Sequence, residues 1–564
     1  MLLAVAFAAA HTQSPLYYSN QKLFRTADGG EHWTTISPDL TRQNPGVPKN
    51  LDAVTAANNL GTGPRRGVIY AIAPSSLDAK LLWLGTDDGL VWRSRDEGAH
   101  WDNVTPAQLA PWSKVGIIEA SHFDVGTAYT AIDRHRLDDR KPYIYRTHDG
   151  GKTWQAIMTG IRDGDFVNAV REDPKRRGLL YAATELGVYV SFDDGDHWQS
   201  LQMNLPRTSV RDIDVHGDDL VIATHGRGFW VLDDISSLRQ MDASLSRSAT
   251  RLFAPSTTIR VRPAGFTGTP LPKDEPTAVN PPFGARLDYM LANAAKQPVL
   301  LTIYDANGQV VRRYSSADKA PKHDPATAGI APEWFVTPTT LATTPGLHRF
   351  IWPLRYPALP ALADGNAYVD GTWAPPGRYI VELSIDGQSY KQPLTIVPDP
   401  RVKLPADAYA QQFAFARTVE AAQARLASAF GEAGQLHGAL LAVRKQPDPK
   451  FTEAFAKLDA GVVGIAGIVD APNPNNAWAM PPKSTRTFAF LGGALEKLAA
   501  AADYADAAPS TDARTGYSAL MPMLERALAD WQRLKVEDLA ALNAQLRAAG
   551  KAELGVGPDP TPSK

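Results

Sequence analysis

The strongest constraint on this chain is a pattern that recurs four times in its first part: Ser or Thr, any residue, Asp, any residue, Gly, two further residues, Trp. The copies are Thr26-Ala-Asp28-Gly-Gly30-Glu-His-Trp33, Ser94-Arg-Asp96-Glu-Gly98-Ala-His-Trp101, Thr147-His-Asp149-Gly-Gly151-Lys-Thr-Trp154 and Ser191-Phe-Asp193-Asp-Gly195-Asp-His-Trp198. A short apolar run leads into each: Leu23-Phe24-Arg25, Val91-Trp92-Arg93, Ile144-Tyr145-Arg146 and Val188-Tyr189-Val190. This is the chemistry of a hairpin corner. An Asp carboxylate accepts hydrogen bonds from turn N–H groups, Gly supplies a positive φ, and Trp buries a large ring against a neighbouring unit. A reaction needs one constellation, whereas a fold needs one corner per repeat. Asp28, Gly30, Trp33, Asp96, Gly98, Trp101, Asp149, Gly151, Trp154, Asp193, Gly195 and Trp198 are therefore expected to be structural.

The repeat extends beyond the corner. Leu82-Trp-Leu-Gly-Thr-Asp-Asp-Gly89 precedes the second copy and Leu180-Tyr-Ala-Ala-Thr-Glu-Leu-Gly187 the fourth, while Leu220-Val-Ile-Ala-Thr-His-Gly-Arg-Gly228 begins a fifth unit without a corner. Successive Trp residues are 68, 53 and 44 positions apart. The shortest interval matches the propeller-blade period of about 45, and the longer two imply insertions near Pro38 to Gly63 and Arg134 to Lys141. Residues 16–235 thus predict about five four-stranded antiparallel blades.

The four corners resemble the Asp-boxes, or BNR repeats, of sialidases, xyloglucanases and sortilin-type propellers. The segment Ala223-Thr-His-Gly-Arg-Gly-Phe-Trp-Val-Leu-Asp-Asp234 resembles the last blade of exported bacterial sortilin-like BNR-repeat proteins, often labelled glycosyl hydrolases on repeat content alone. The resemblance continues into the later regions. It implies a larger propeller beginning upstream, so that this chain is N-terminally truncated relative to the family. It also implies a periplasmic or secreted location and an Ig-like domain after the propeller. Sortilin-type propellers bind peptides and protein segments, but no residue-level motif carries a specific site over. A propeller closes to protect its sheet edges. Five blades taken from a larger ring have the wrong curvature, so the expected form is an open arc.

The expected organisation is multidomain: a propeller segment at 1–240, an Ig-like β-sandwich at 250–398, a helical module at 405–550 and a disordered tail at 551–564. In the middle region, Asp305-Ala-Asn307-Gly308 joins two strand-like runs, and Tyr379, Val381, Leu383 and Ile385 alternate before a turn at Asp386-Gly387; both are hairpin signals. Residues 270–282 are Pro-rich and read as a loop. Residues 405–445, 487–501 and 510–549 carry helical apolar spacing. Pro522 is expected to break or start a helix, and residues 446–485, with several Pro and Asn, read as an irregular connector.

Composition narrows the function. Lys and Arg number 58 against 60 Asp and Glu, a net charge of −2, which offers nothing to a polyanion, so no nucleic-acid partner is expected. The absence of Cys removes disulfide scaffolds, zinc ribbons, iron–sulfur sites and Cys nucleophiles. No apolar run reaches the roughly 18 residues of a membrane span. Met1 to Ala10 (MLLAVAFAAA) reads as an inner strand or as a secretory h-region, although a basic n-region is missing. No metal-ligand spacing is present, Gly61-Thr-Gly63 lacks the rest of a phosphate loop, there is no nucleophile elbow, and no cofactor is implied.

The candidate binding residues are Glu119, His122, Glu185, His225 and Arg227. The first reading is a non-enzymatic binding or scaffold protein whose propeller surface takes an unknown peptide, protein or carbohydrate ligand. The alternative is a glycoside hydrolase using inner-face carboxylates, for which Glu119, Asp124, Asp133 and Glu185 are candidates. A facing carboxylate pair about 5–9 Å apart would favour the enzyme, especially with one pKa raised.

Overall fold

The computed structural model describes residues 5–7, 15–57, 65–242, 249–262, 280–319, 338–363, 368–405, 407–445, 448–468 and 486–556. Most of the Pro-rich segment, Gly61-Thr-Gly63, part of Met1–Ala10 and residues 469–485 and 557–564 lie outside these. The chain divides into two compact units, Met1–Ala249 and Thr250–Lys564.

The first unit is a succession of five antiparallel sheets, a β-propeller segment. The first sheet comprises Val5–Phe7, Leu16–Ser19, Leu23–Thr26 and Thr34–Thr35. The second comprises Ile69–Pro74, Leu82–Thr86, Val91–Ser94 and Asp102–Asn103. The third comprises Lys114–Ala120, Ala128–Asp133, Ile144–Thr147 and Gln155–Ala156. The fourth comprises Val167–Glu172, Leu180–Thr184, Val188–Ser191 and Gln199–Ser200. Among the described residues the fifth has three strands, Val210–His216, Asp219–Thr224 and Phe229–Leu232. Strands pair in chain order within each sheet, and the first strand of each sheet neighbours the first strand of the next. First strands therefore lie on the inner side and fourth strands on the outer side.

The expectation of five four-stranded blades is corrected at the fifth, which stops at three strands. The physical reason is in the residues: after Phe229–Leu232 the chain reads Asp233-Asp234-Ile235, without the Ser/Thr, Gly and Trp that would turn it into a fourth strand. No strand pair joins the first sheet to the fifth among the described residues.

The four recurrent corners share one geometry. In the third sheet, Asp149 Oδ1 accepts from the Thr147 hydroxyl at 2.9 Å and from Thr153 N–H at 2.9 Å, while Gly151 N–H donates to Thr147 Oγ1 at 2.9 Å. Asp28, Asp96 and Asp193 accept equivalent bonds, with the ring of His32, His100 or His197 replacing the Thr153 hydroxyl. Each later Trp then reaches back one sheet. The indole N–H of Trp101 donates to the Ile36 carbonyl at 3.1 Å, that of Trp154 to Val104 at 2.7 Å and that of Trp198 to Ile157 at 2.8 Å. The glycine beside it closes the same contact: a Cβ on Gly195, which has φ +91°, would stand 2.4 Å from Ile157 Cδ1. Trp33, in the first described sheet, bonds its own corner at Gly30 and is 44% exposed.

These bonds make the corners acid-sensitive. The backbone N–H of His32 holds Asp28 well below the ordinary carboxylate range, that of His100 holds Asp96 at about 2, and the Thr153 hydroxyl holds Asp149 at about 2. At Asp193 burial pushes upward, but the hydrogen bonds from His197 prevail and the pKa is lowered. A carboxylate with a lowered folded pKa stabilises the fold above its unfolded value and loses that contribution as pH falls toward the folded one. Near-UV circular dichroism should therefore show first-unit packing weakening between about pH 4 and pH 2, and Asp149→Asn should flatten this acid limb.

The second unit begins with two sheets over one core. Arg251–Leu252, Ala285–Leu291 and Gly346–Trp352 form one, and Thr258–Arg260, Gln388–Pro398, Gly377–Ile385, Leu300–Asp305 and Val310–Ser315 the other. Leu287, Tyr289, Phe350 and Trp352 from the first share a core with Leu301, Ile303, Val381, Leu383 and Leu394 from the second. The edge pairing of Thr258–Arg260 with Ile396–Pro398 is parallel.

Helices Ala408–Arg444, Thr452–Ala466, Phe488–Asp503, Thr511–Arg533 and Ala540–Ala548 follow. Three expectations change here. The connector read over 446–485 contains the Thr452–Ala466 helix, whose Phe455, Leu458, Val462 and Ala466 fill one buried stripe. Pro522 sits inside a continuous helix; it and Ser518, whose carbonyl it deprives of a donor, both lie on the exposed face, where water can replace the bond. The stretch read as a disordered tail includes Leu554, which exchanges two hydrogen bonds with Asn543 and packs into the helical core, while residues 557–564 lie outside the described residues.

Candidate binding site

Charge gathers along the inner strands of the third, fourth and fifth sheets. Glu119 lies in Lys114–Ala120, Arg171 and Glu172 close Val167–Glu172, and Asp212 lies in Val210–His216. Glu119 Oε1 is 3.2 Å from His122 Nε2, and its Oε2 is 3.4 Å from Arg171 Nη1. Arg171 reaches on to the fifth sheet, with Nη2 3.2 Å from Asp212 Oδ1 and Nε donating to the Ile213 carbonyl at 3.0 Å. On the other side, Ser76 Oγ stands 3.4 Å from His122 Nδ1. One polar chain thus crosses from the second sheet to the fifth.

Glu172 anchors this chain from below. It is buried and accepts from Ser121 Oγ at 2.6 Å, His122 N–H at 3.0 Å and Gly178 N–H at 3.3 Å. Those bonds set the loop that carries His122. The hydrogen bond to Glu119 raises the His122 pKa; burial opposes it, and the charges of Glu119 and Glu172 add to it. The His122 and Arg171 side chains are partly open and Asp212 is exposed. Cationic donors flanked by carboxylate acceptors can take up a polar ligand by exchanging partners with it, whether the ligand offers peptide groups or sugar hydroxyls.

Of the five residues named from the sequence, Glu119 and His122 come together here. Glu185, His225 and Arg227 do not join them. In the fourth sheet Glu172 pairs with Leu180 and Val167 with Thr184, so Glu185 leaves from the opposite end of the strands. There Glu185 accepts from Ser209 Oγ at 2.6 Å and faces Arg211 at 3.5 Å, and His225 N–H donates to the Ser209 carbonyl at 2.8 Å. Arg227 sits in an exposed hairpin, its carbonyl accepting the Trp230 indole N–H at 3.1 Å. The reason is topological: loops after first strands and loops after second strands emerge at opposite ends of an antiparallel sheet. Sequence reasoning missed Arg171, Glu172 and Asp212, although their first-strand positions in the following repeats carried the signal.

The carboxylates considered for hydrolysis are also dispersed. Asp124 is bonded to Thr127 Oγ1 at 2.6 Å, and Asp133, which pairs across from Lys114 at the far end of the third sheet, contacts His135 Nδ1 at 2.6 Å. A different pair lies between the second sheet's inner hairpin and Gly67. A Cβ on Gly67 would stand 2.4 Å from Asp88 Oδ2 and 2.8 Å from Asp87 Oδ1. Burial, together with the neighbouring Asp88 charge, raises the Asp87 pKa, although Val68 N–H opposes it. Among the described residues, the grouping able to hold a metal ion is Asp28, Glu31 and His32, all exposed.

The propeller segment and its polar inner end define the class to which the first unit belongs. No family model and no curated protein sequence matches the chain. Among solved structures it is similar to the GH74 xyloglucanase from Xanthomonas campestris, at 17% identity and TM-score 0.29, over 43% of this chain and 39% of that one. It is also similar to YCF48 from Cyanidioschyzon merolae, at 19% identity and TM-score 0.23, over 30% of this chain and 53% of that one. A third is the Cps50 (Swd1) β-propeller domain from Myceliophteria thermophila, at 9% identity and TM-score 0.29, over 41% of this chain and 64% of that one. The chain spans less than two thirds of each.

Proposed function

We propose that this chain is a non-enzymatic binding or scaffold protein of the sortilin-like BNR type, in which the Asp-box corners hold the blades and the inner end binds a peptide, protein or glycan. The observation that carries this reading is the Ser76–His122–Glu119–Arg171–Asp212 chain, which presents partly open donors and acceptors from four sheets. The Ig-like character of the sandwich and an exported location belong to the same proposal. The test is a glycan array and a peptide pull-down on the purified protein beside a general glycosidase assay. A ligand whose binding falls at least tenfold in Arg171→Ala and Asp212→Ala supports the reading. Turnover abolished by one carboxylate substitution overturns it.

The hydrolase reading keeps one specific observation, the raised Asp87 carboxyl beside Asp88. Turnover lost in Asp87→Asn would establish it.

A further inference from the structure

The fifth sheet carries an empty version of a socket that the other sheets fill. In the fourth sheet, the socket between sheets is lined by Ile157 and Ile161 from the preceding sheet's end and by Leu180, Ala182 and Tyr189, and Trp198 occupies it. The equivalent positions one repeat later are Leu201, Leu205, Leu220, Ile222 and Trp230. All five line one open groove, together with Met203 and Leu232 among others. The match follows the strand registers: Leu180 pairs with Ser191 and Ala182 with Tyr189, as Leu220 pairs with Leu232 and Ile222 with Trp230.

The backbone around the groove is equally unfinished. The carbonyls of Ile36, Val104 and Ile157 each accept the indole N–H of the next sheet's Trp. Leu201 holds the same place, fixed by its N–H donating to the Val188 carbonyl at 2.8 Å, as Ile157 is fixed by Ile144 at 2.9 Å. In the fourth sheet, Tyr189 and Val190 pair with Ser200 and Gln199 of the outer strand. Their equivalents, Trp230 and Val231, have no outer strand among the described residues, and Phe229 and Val231 are 80% and 52% exposed.

We infer that this edge binds a short extended peptide segment from another protein, which adds an antiparallel fourth strand beside Phe229–Leu232 and seats an aromatic side chain, best a Trp, in the Leu201–Leu220–Trp230 groove. Main-chain bonds to the edge supply affinity and the socket supplies selectivity, as in other strand-addition interfaces. The occupant is specified by the repeats themselves: four sheets of this molecule show which strand and, in three of them, which ring completes the unit. This site is separate from the inner-end polar chain.

The test uses the full-length protein and a labelled peptide copying Ser191–Leu201 (SFDDGDHWQSL), read by fluorescence anisotropy. Saturable binding is expected, weakened at least tenfold when the peptide's Trp is replaced by Ala. Val231→Pro, which removes a donor from the exposed edge, should weaken binding similarly. Ile222→Trp, which fills the groove from within, is the second variant. Absence of binding, equal binding of the two peptides, or insensitivity to both Val231→Pro and Ile222→Trp overturns the inference. Sedimentation as a dimer that the peptide dissociates overturns it as well, because it assigns the edge to a second copy.

Discussion

Trp198→Ala should destabilise the fourth sheet by about 3–5 kcal/mol, the usual cost of truncating a buried Trp, whereas Trp33→Ala should change stability by no more than about 0.5 kcal/mol. The two residues occupy the same place in the same corner, so local sequence predicts equal effects. Their surroundings differ. Trp198 is 4% exposed, packs with Ile157, Ile161 and Leu180, and donates to the Ile157 carbonyl. Trp33 is largely open and bonds only its own Gly30, with an edge contact to Tyr18 at 6.0 Å. The ring therefore stabilises by joining one sheet to the one before it. Hydrogen exchange in peptides from residues 180–200 checks this. Amides there should exchange much faster in Trp198→Ala and at the native rate in Trp33→Ala. Equal acceleration in both would mean that the ring acts within its own corner.

That contrast shows what was legible in the sequence. Each corner residue has a single local role, so four copies sufficed to read the hairpins, and the intervals between Trp residues gave the blade period. The third strand of the fifth unit was legible too, but its missing fourth strand was a matter of absent residues after Leu232 and was passed over. Glu119 was found as a carboxylate near an expected strand end, and His122, also named from the sequence, lies three residues on. Arg171 reaches Glu119 across 52 positions of chain and Asp212 reaches Arg171 across 41, separations that no local pattern encodes. The Thr452–Ala466 helix was obscured by the Pro- and Asn-rich composition around it, although Phe455, Leu458 and Val462 have helical spacing. Pro522 misled because a proline's cost depends on whether the freed carbonyl can meet water, which is a property of the face and not of the residue.

The least legible feature of the second unit should also be its most sensitive. Asp506→Ala is expected to cost about 3–5 kcal/mol, the range for removing one partner of a buried ion pair. Arg260 and Asp506 have side chains 2% and 4% exposed and meet at 3.1 Å, and Asp506 also accepts from Arg262. Asp503 takes Arg262 at 3.0 Å and Arg355 at 3.1 Å. All three guanidiniums stand over the Trp373 ring, at 5.6, 5.0 and 4.2 Å from its centre. Three cations thus share two carboxylates around the buried Arg260–Asp506 pair, where the face of an aromatic ring offsets part of the excess charge. Burial lowers the Arg260 pKa to about 10, with Asp506 working against that shift. Removing Asp506 leaves three cations facing one carboxylate, and the strand Thr258–Arg260 loses its tie to the end of Phe488–Asp503. The arrangement joins the sandwich to the helices across 244 positions of sequence. A urea titration followed by far-UV circular dichroism should show the midpoint falling in Asp506→Ala. The double variant Arg260→Met with Asp506→Leu should recover part of the loss, because it removes a buried charge together with its partner. A double variant less stable than Asp506→Ala alone would show that Arg260 is held by Trp373, Tyr409 and Gln412 and owes little to the carboxylate.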